Sequence, residues 1–324
     1  MSTAAKPSER PRSIERIRAT LGTRWARAAI LAATGSLAAL WAARETLVDA
    51  ARAVGQTLAG VGELEWRPPG GDWLPIEPGD AARRHWGVVD AFLAPGWRRL
   101  APGLETADLE LRRSPNPQHV DVFLARVDPR GWRFRVWGRP DWAPGDVGEL
   151  ADEAGLALAV NASYFAEDGP IGLVVEDGRL RKKQARNRAA HFLVPTGDRP
   201  RVVNEKRTPL PPLDAGFQGF PSIMTAGRTF SYMRVGGRGF DVWKVDRRSA
   251  ACVDREGRVV LLVTDTVTNG LSFDELATVF GGLGCWDAMA FDGGSSTGMA
   301  LRVGEPRDIG NLEPVPVILG VEAR

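Results

Sequence analysis

Near the C-terminal end of the chain, Asp292 is followed by Gly293, Gly294, Ser295, Ser296 and Thr297. A carboxylate, two residues without side chains and three hydroxyls in succession make a turn suited to facing an anion. Glycine lets a ligand come close to the main chain, and successive free N–H groups form a concave nest for negative charge. A helix beginning at Ser295 would add the positive end of its dipole. A phosphate would fit there, although glycine-rich turns after strands often have purely structural reasons.

Gly294 to Gly298 also fits G-x-S-x-G, the nucleophile elbow of serine esterases, with Ser296 as nucleophile. In that fold the acidic and histidine partners follow the serine. Here the last histidine is His191, more than 100 residues earlier, so the elbow lacks its base. His85, His119 and His191 are the only histidines and no two lie at a helix-face spacing, so no histidine metal site is expected and no cofactor is implied. A divalent metal held by other ligands stays open.

The run Val160-Asn161-Ala162-Ser163-Tyr164-Phe165, then Gly169 to Val175 and Asp177-Gly178, resembles the first motif of the phosphodiester glycosidase family. That family includes the enzyme that uncovers mannose 6-phosphate by removing N-acetylglucosamine, and bacterial relatives labelled exopolysaccharide biosynthesis proteins. Four further blocks resemble the family in order: Gln218-Gly219-Phe220-Pro221 with Gly227-Arg228, Arg248-Ser249-Ala250, Val263-Thr264-Asp265, and Leu271 to Ala277 ahead of Phe291 to Ser296. The resemblance runs from about Trp97 to the C-terminus. Two departures stand out, Ala162-Ser163 where many members have Gly-Gly, and a missing third glycine after Asp292.

The resemblance implies hydrolysis of a sugar-1-phosphate diester at the anomeric carbon, giving free sugar and a phosphomonoester. Ordinary glycosidases need one carboxyl group to protonate the leaving oxygen and a second as base or nucleophile. A phosphate leaving group is already a weak base, so a cationic clamp can replace the acid. Arg248, the amides of Gly293, Gly294 and Ser295, and the Ser295 and Ser296 hydroxyls would form that clamp. Asp292 or Asp265 would activate water or stabilise the cationic transition state, with the choice between them open, and Asn161 would orient sugar or phosphate through its amide. Strand-end aspartates can also cap turns, and Arg248 beside Arg247 can be half of a surface pair.

The elements that must position these residues are short β-type runs separated by tight turns. Hairpins are expected where 120–127 and 132–137 flank Asp128-Pro129-Arg130-Gly131, where Gly172 to Glu176 and Arg179-Leu180 flank Asp177-Gly178, and where Ala250 to Asp254 and Arg258 to Thr264 flank Arg255-Glu256-Gly257. One clear helix starts at Ser272, whose spacing to Glu275 predicts a capping box, and is expected to stop at Gly281-Gly282. Trp286 to Phe291 then forms the strand that delivers Asp292. The fold class is α+β: β-rich, with mostly antiparallel or mixed sheets and a few packed helices, preceded by an N-terminal helical membrane segment. The basic run Arg181-Lys182-Lys183 with Arg186 and Arg188 is read as a solvated edge strand rather than a polyanion guide.

The N-terminal residues divide differently. Residues 1–27 hold seven basic and two acidic side chains, +5; because the whole chain is +2, the remainder carries −3. That remainder lacks the cationic footprint of general nucleic-acid binding. Residues 28–43 contain no charge and are flanked by Arg27 and Arg44, which suggests an inner-membrane anchor, or a cleaved signal, with everything beyond facing the periplasm or exterior. A helix-compatible stretch and a Trp/Pro/Gly-rich neck at 44–97 would lead to a catalytic domain at 98–324. Trp66, Trp73, Trp86 and Trp97 in that neck can stack on sugars or pack against the domain. Cys252 and Cys285 read as two separately buried thiols, with a single bridge as the alternative. The expected partner is a glycosyl-phosphodiester or polysaccharide. A non-catalytic envelope protein that binds polysaccharide is the second functional class, and the Ser296 esterase the third.

Overall fold

In the computed structural model, the structure describes residues 63–76, 92–114, 118–186, 190–204, 210–229 and 244–324. The proposed basic tail, the membrane segment at 28–43, the helix-compatible stretch at 44–62, and also His85, Trp86 and Arg188, lie outside the described residues. Among the described residues no helix is long and apolar enough to cross a membrane.

The fold is α+β and β-rich. Among the described residues ten strands form one sheet, two further sheets have five strands each, a fourth has two, and every strand pairing is antiparallel. In the large sheet the order across the centre is Ser222–Thr225, Cys285–Ala290, Ser249–Asp254, Val259–Thr264, Gln118–Val127, Leu104–Ser114 and Glu63–Arg67. One five-stranded sheet centres on Leu213–Gly219, the other on Leu158–Asn161 between Met299–Leu301 and Ile318–Ala323.

Both faces of the large sheet are covered, which is why its middle strands read as continuous apolar runs rather than alternating ones. Ala251, Leu261, Val263, Met289 and Phe291 face one core shared with the two smaller sheets. Ala250, Cys252, Val260 and Leu262 face a second core beneath the helix Phe273–Gly282. In the first core Phe134, Phe192, Phe217 and Phe291 form a chain of ring contacts, 5.8, 5.9 and 4.9 Å between centroids. Phe291 is 1% exposed, and burying such a ring stabilises by ~1.5–3 kcal/mol. It anchors the chain one residue before Asp292.

Two of the three expected hairpins form. At the first, Asp177 and Gly178 both take positive φ, 44° and 77°, matching a tight turn of the primed type. The second joins Ser249–Asp254 to Val259–Thr264 through Gly257, φ 79°. The 128–131 turn forms as well, closed by Gly131 N–H to the Asp128 carbonyl at 3.1 Å, but its strands part. Gln118–Val127 lies between Val259–Thr264 and Leu104–Ser114, so neither edge is left for Trp132–Trp137, which pairs with Ile318–Ala323 in another sheet.

Other expectations also change. The supposed irregular neck contributes strand Glu63–Arg67, paired along Leu104–Ser114, because Leu64 and Trp66 alternate inward between charged neighbours. Trp73 is covered by Arg67 and Arg112, and Trp97 by Arg126, leaving neither as a bare platform. The capping box at Ser272 and Glu275 is present, but the helix continues through Gly281 and Gly282, and Gly284, φ 78°, takes the left-handed position beyond it. Cys252 and Cys285 are not separate thiols: they form a disulfide between neighbouring strands. A second helix, Val147–Ala154, covers the outer face of the Leu158–Asn161 sheet.

Candidate active site

Strands Val259–Thr264 and Cys285–Ala290 both run antiparallel to Ser249–Asp254 between them, so their C-terminal ends and Arg248 emerge at one end of the sheet. The turn after Ala290 is fixed from several directions. Phe291 N–H donates to the Ser249 carbonyl at 2.8 Å, Asp292 N–H to the Ala162 carbonyl at 2.9 Å, and Gly294 N–H to the Arg247 carbonyl at 2.9 Å. Gly294 has φ 65°, which favours glycine, and a Cβ on Gly293 would sit 2.8 Å from the Arg247 carbonyl oxygen. Gly293 is therefore required by the close passage of the Arg247 main chain, and Gly294 by its left-handed backbone.

Asn161 serves this turn from beneath. Its Nδ2 donates to the Asp292 carbonyl at 2.7 Å, and its Oδ1 accepts from Gly298 N–H at 3.2 Å. The side chain is fully buried. The amide, expected to orient sugar or phosphate, braces the backbone on both sides of the Gly293–Thr297 loop. The amide nest changes in the same way. Gly293 N–H donates to Asp292 Oδ1 at 3.0 Å, Ser296 N–H to the Gly293 carbonyl at 3.4 Å and Thr297 N–H to the Gly294 carbonyl at 3.3 Å. The helix expected at Ser295 is one 3-10 turn, Gly294–Ser296. The Gly293 and Gly294 amides are thus engaged within the turn.

Arg248 lies alongside it. A Cβ on Gly293 would lie 3.5 Å from its Nη1, which puts the guanidinium along the turn. Its Nε donates to the Leu271 carbonyl at 2.7 Å, its Nη2 to the Lys244 carbonyl, and its head lies 3.9 Å from the Phe273 ring centroid. Leu271 is held in turn by the helix start. Glu275 accepts Ser272 N–H at 2.7 Å and takes a two-pronged ion pair, 2.8 Å on each side, from the buried Arg113 of the large sheet. Arg113 also donates to the Gly270 carbonyl at 2.7 Å. The block 271–277 thus supports Arg248 rather than reaching substrate itself.

Two residues beside the turn escaped sequence reasoning. Asp246, 6% exposed, has its Oδ2 3.3 Å from where a Gly294 Cβ would stand, and Lys244 Nζ lies 2.8 Å from the same oxygen. Lys244, Asp246 and Arg248 are spaced by two, the period that puts side chains on one side of an extended chain; that spacing was the available signal. Ser295 Oγ donates to Glu313 Oε2 at 2.8 Å, and Ser296 is buried.

Asp265 is at the same end of the sheet but in different company. Arg307 Nη2 holds its Oδ2 at 2.9 Å, and the other end of that guanidinium holds Asp108 at 2.5 Å. Asp265 also helps raise the pKa of neighbouring Asp121, a shift caused first by burial and then by the nearby carboxylates Glu110 and Asp265. The structure therefore brings together Asn161, Arg248 and 292–296, and places Asp265 in a separate ion-pair cluster.

Around the turn, the first resemblance block packs against the second. Tyr164 O–H donates to the Phe220 carbonyl at 2.9 Å, and Gln218 Oε1 accepts from Leu173 N–H at 3.0 Å and Ala185 N–H at 2.7 Å. The Phe220–Pro221 peptide is cis. Ser296 has no histidine beside it among the described residues: His191 is fully buried and 2.6 Å from Gln184, while His119 packs edge-on against Trp73. Among the described residues no group of three or more His, Cys, Asp or Glu side chains is arranged to hold a metal.

The end of the antiparallel sheet thus presents Asp292 in a glycine turn, with the buried Asp246 and Arg248 alongside. The phosphodiester glycosidase family profile matches residues 154–322, more than half of the sequence, and the chain belongs to that family, whose members are hydrolases acting on sugar phosphodiesters. Among solved structures, the fold is similar to the catalytic domain of zebrafish N-acetylglucosamine-1-phosphodiester alpha-N-acetylglucosaminidase, auto-inhibited by its pro-peptide. That match has 19% identity and TM-score 0.58, covering 73% of this chain and 87% of that one. It is also similar to a hypothetical protein from Synechocystis, with 18% identity and TM-score 0.55, covering 71% of this chain and 64% of that one. No curated protein matches the sequence.

Proposed function

We propose that the protein hydrolyses a glycosyl-1-phosphodiester, with Asp292 as the carboxylate that activates water or stabilises the sugar cation and Arg248 as the phosphate clamp. The observation that carries this is the placement of the Arg248 guanidinium along the Gly293 edge of the Asp292 turn. The bond that breaks joins the anomeric carbon to the phosphodiester oxygen. Water oxygen joins that carbon, its proton passes by way of Asp292 to solvent, and the phosphomonoester leaves with the electron pair. Arg248, helped by Lys244, stabilises the departing charge. Ser295 is the hydroxyl beside them that a ligand can compete for, since it now serves only Glu313 at the surface.

The substrate we favour is an envelope or exopolysaccharide component, met outside the cytoplasm by a protein anchored through residues 28–43. The disulfide supports that location, because such bonds persist in oxidising compartments. A polysaccharide-binding role through the Trp-rich segment has less support, since Trp66 is buried and Trp73 and Trp97 are covered by arginines. The test is incubation of the purified protein with diesters of N-acetylglucosamine-1-phosphate and of other sugar-1-phosphates. Release of free sugar with phosphomonoester, lost in Asp292→Asn, is expected; no release from any diester would contradict the proposal.

A further inference from the structure

At the other end of the same strands lies a cavity of about 560 Å³, walled by the 129–134 turn, the 194–200 turn and Arg324. Val259–Thr264 connects the two ends, with Val259 opposite Val127 near the cavity and Thr264 bonded to Arg248 at the site. Five residue steps of strand separate them by about 17 Å. The cavity volume is within the range of small-molecule sites. Its back wall is apolar, Trp132, Phe134 and Val194, and its mouth carries four guanidinium groups, Arg130, Arg133, Arg199 and Arg324.

The four are not equivalent. Arg130 is held by Asp128 through three contacts of 2.6–3.0 Å, and Arg133 is shared between Asp177 and Glu322 at 3.0 and 3.1 Å. Although Asp128 and Asp198 lie near enough to Arg199 to feel its charge, the guanidinium groups of Arg199 and Arg324 make no close ion pair among the described residues. Their heads are nonetheless held by main-chain acceptors: Arg199 Nη1 donates to the Glu256 carbonyl at 2.9 Å, and Arg324 Nε to the Trp132 carbonyl at 3.4 Å. Of the two lining carboxylates, Asp198 is paired with Arg201, and Asp214 accepts the Thr196 hydroxyl at 2.7 Å. Two guanidinium groups outside any close ion pair therefore border one cavity, with Asp128 and Asp198 the nearby carboxylates of Arg199. A planar donor fork held in place favours an oxyanion with several acceptor oxygens.

We infer that this cavity is a second anion site, which takes a phosphate group through Arg199 and Arg324 and is separate from the Asp292 turn. The phosphate can arrive free or carried on a sugar, whose ring would lie toward the apolar wall. Neither arginine belongs to the proposed hydrolytic machinery, so the site stands whether or not the diester is the substrate.

Calorimetric titration of the full chain with inorganic phosphate and with glucose 1-phosphate, at ionic strength balanced by sodium chloride, tests it. Binding is expected in Arg248→Lys, which lacks the phosphate fork proposed at the Asp292 turn, and roughly tenfold or more weaker when Arg199→Gln/Arg324→Gln is added to it, from loss of two charge-assisted contacts. Arg199→Gln/Arg324→Gln alone should keep the unfolding temperature, because both side chains are exposed, and the diester hydrolysis. In Arg248→Lys, equal affinity for the two ligands identifies the bare anion as the occupant; tighter glucose 1-phosphate identifies a sugar-borne phosphate. Equal phosphate affinity in Arg248→Lys with and without Arg199→Gln/Arg324→Gln, or no binding in Arg248→Lys beyond that of chloride, would overturn the assignment.

Discussion

Asp292 and Asp265 end two strands that run in the same direction with one strand between them, yet the chain has built opposite surroundings for them. Asp292 is in a turn whose backbone is fastened by Asn161, Ala162 and Arg247, with an arginine alongside whose Nε and Nη2 donate to the Leu271 and Lys244 carbonyls. Asp265 is in an exposed cluster where Arg307 neutralises it directly. The comparison teaches that a strand-end aspartate becomes a candidate for catalysis through the turn that fastens it and the residues placed along that turn.

The largest expected effect separates the two directly. Asp292→Asn should lower turnover by about 10²–10⁴, while Asp265→Asn should leave it within about threefold, because only a surface ion pair is lost; initial rates on one diester measure both. Arg248→Lys keeps the charge but not the fork, and a fall in kcat/KM of about 10² is expected. The same substitution at Arg307 should change little.

Stability sharpens the contrast further. Cys252→Ala/Cys285→Ala removes a cross-link between residues 33 apart in sequence and should cost about 3 kcal/mol in denaturant unfolding. Asn161→Ala leaves the Asp292 carbonyl and the Gly298 N–H without partners and should cost about 2–3 kcal/mol, with activity falling along with the turn's order. The smallest effect concerns Asp121 in the Asp265 cluster. Its folded-state pKa is raised, by burial first, so its ionised form opposes folding. That penalty is absent below the ordinary carboxylate range and grows as pH rises through the folded pKa. Asp121→Asn should therefore raise the unfolding temperature at neutral pH and have no effect near pH 3.

Much of this was legible in the sequence where the signal is local. Asp177-Gly178 and the Gly257 turn specify hairpins through positive φ, and Ser272 with Glu275 specifies a helix start. The 128–131 turn has equally good local chemistry, but strand partners are chosen by the whole sheet, and both edges of Gln118–Val127 were already taken. The cysteine pair depends on Cys285–Ala290 returning beside Ser249–Asp254, a tertiary choice that spacing does not reveal. At the site, Asn161, Arg248 and Asp292 were identifiable as a set, but Asn161's role was not, because the same amide can serve a ligand or the main chain. Asp246 and Lys244 were missed because their two-residue spacing with Arg248 lies ahead of the strand, not within it.

The central claim is that Asp292 directs water to the sugar carbon and not to phosphorus. Hydrolysis of a glycosyl-1-phosphodiester in ¹⁸O-labelled water tests this most directly, with both products analysed by mass spectrometry. The label is expected in the released sugar, with unlabelled phosphomonoester; label in the phosphomonoester would show attack at phosphorus and contradict the account.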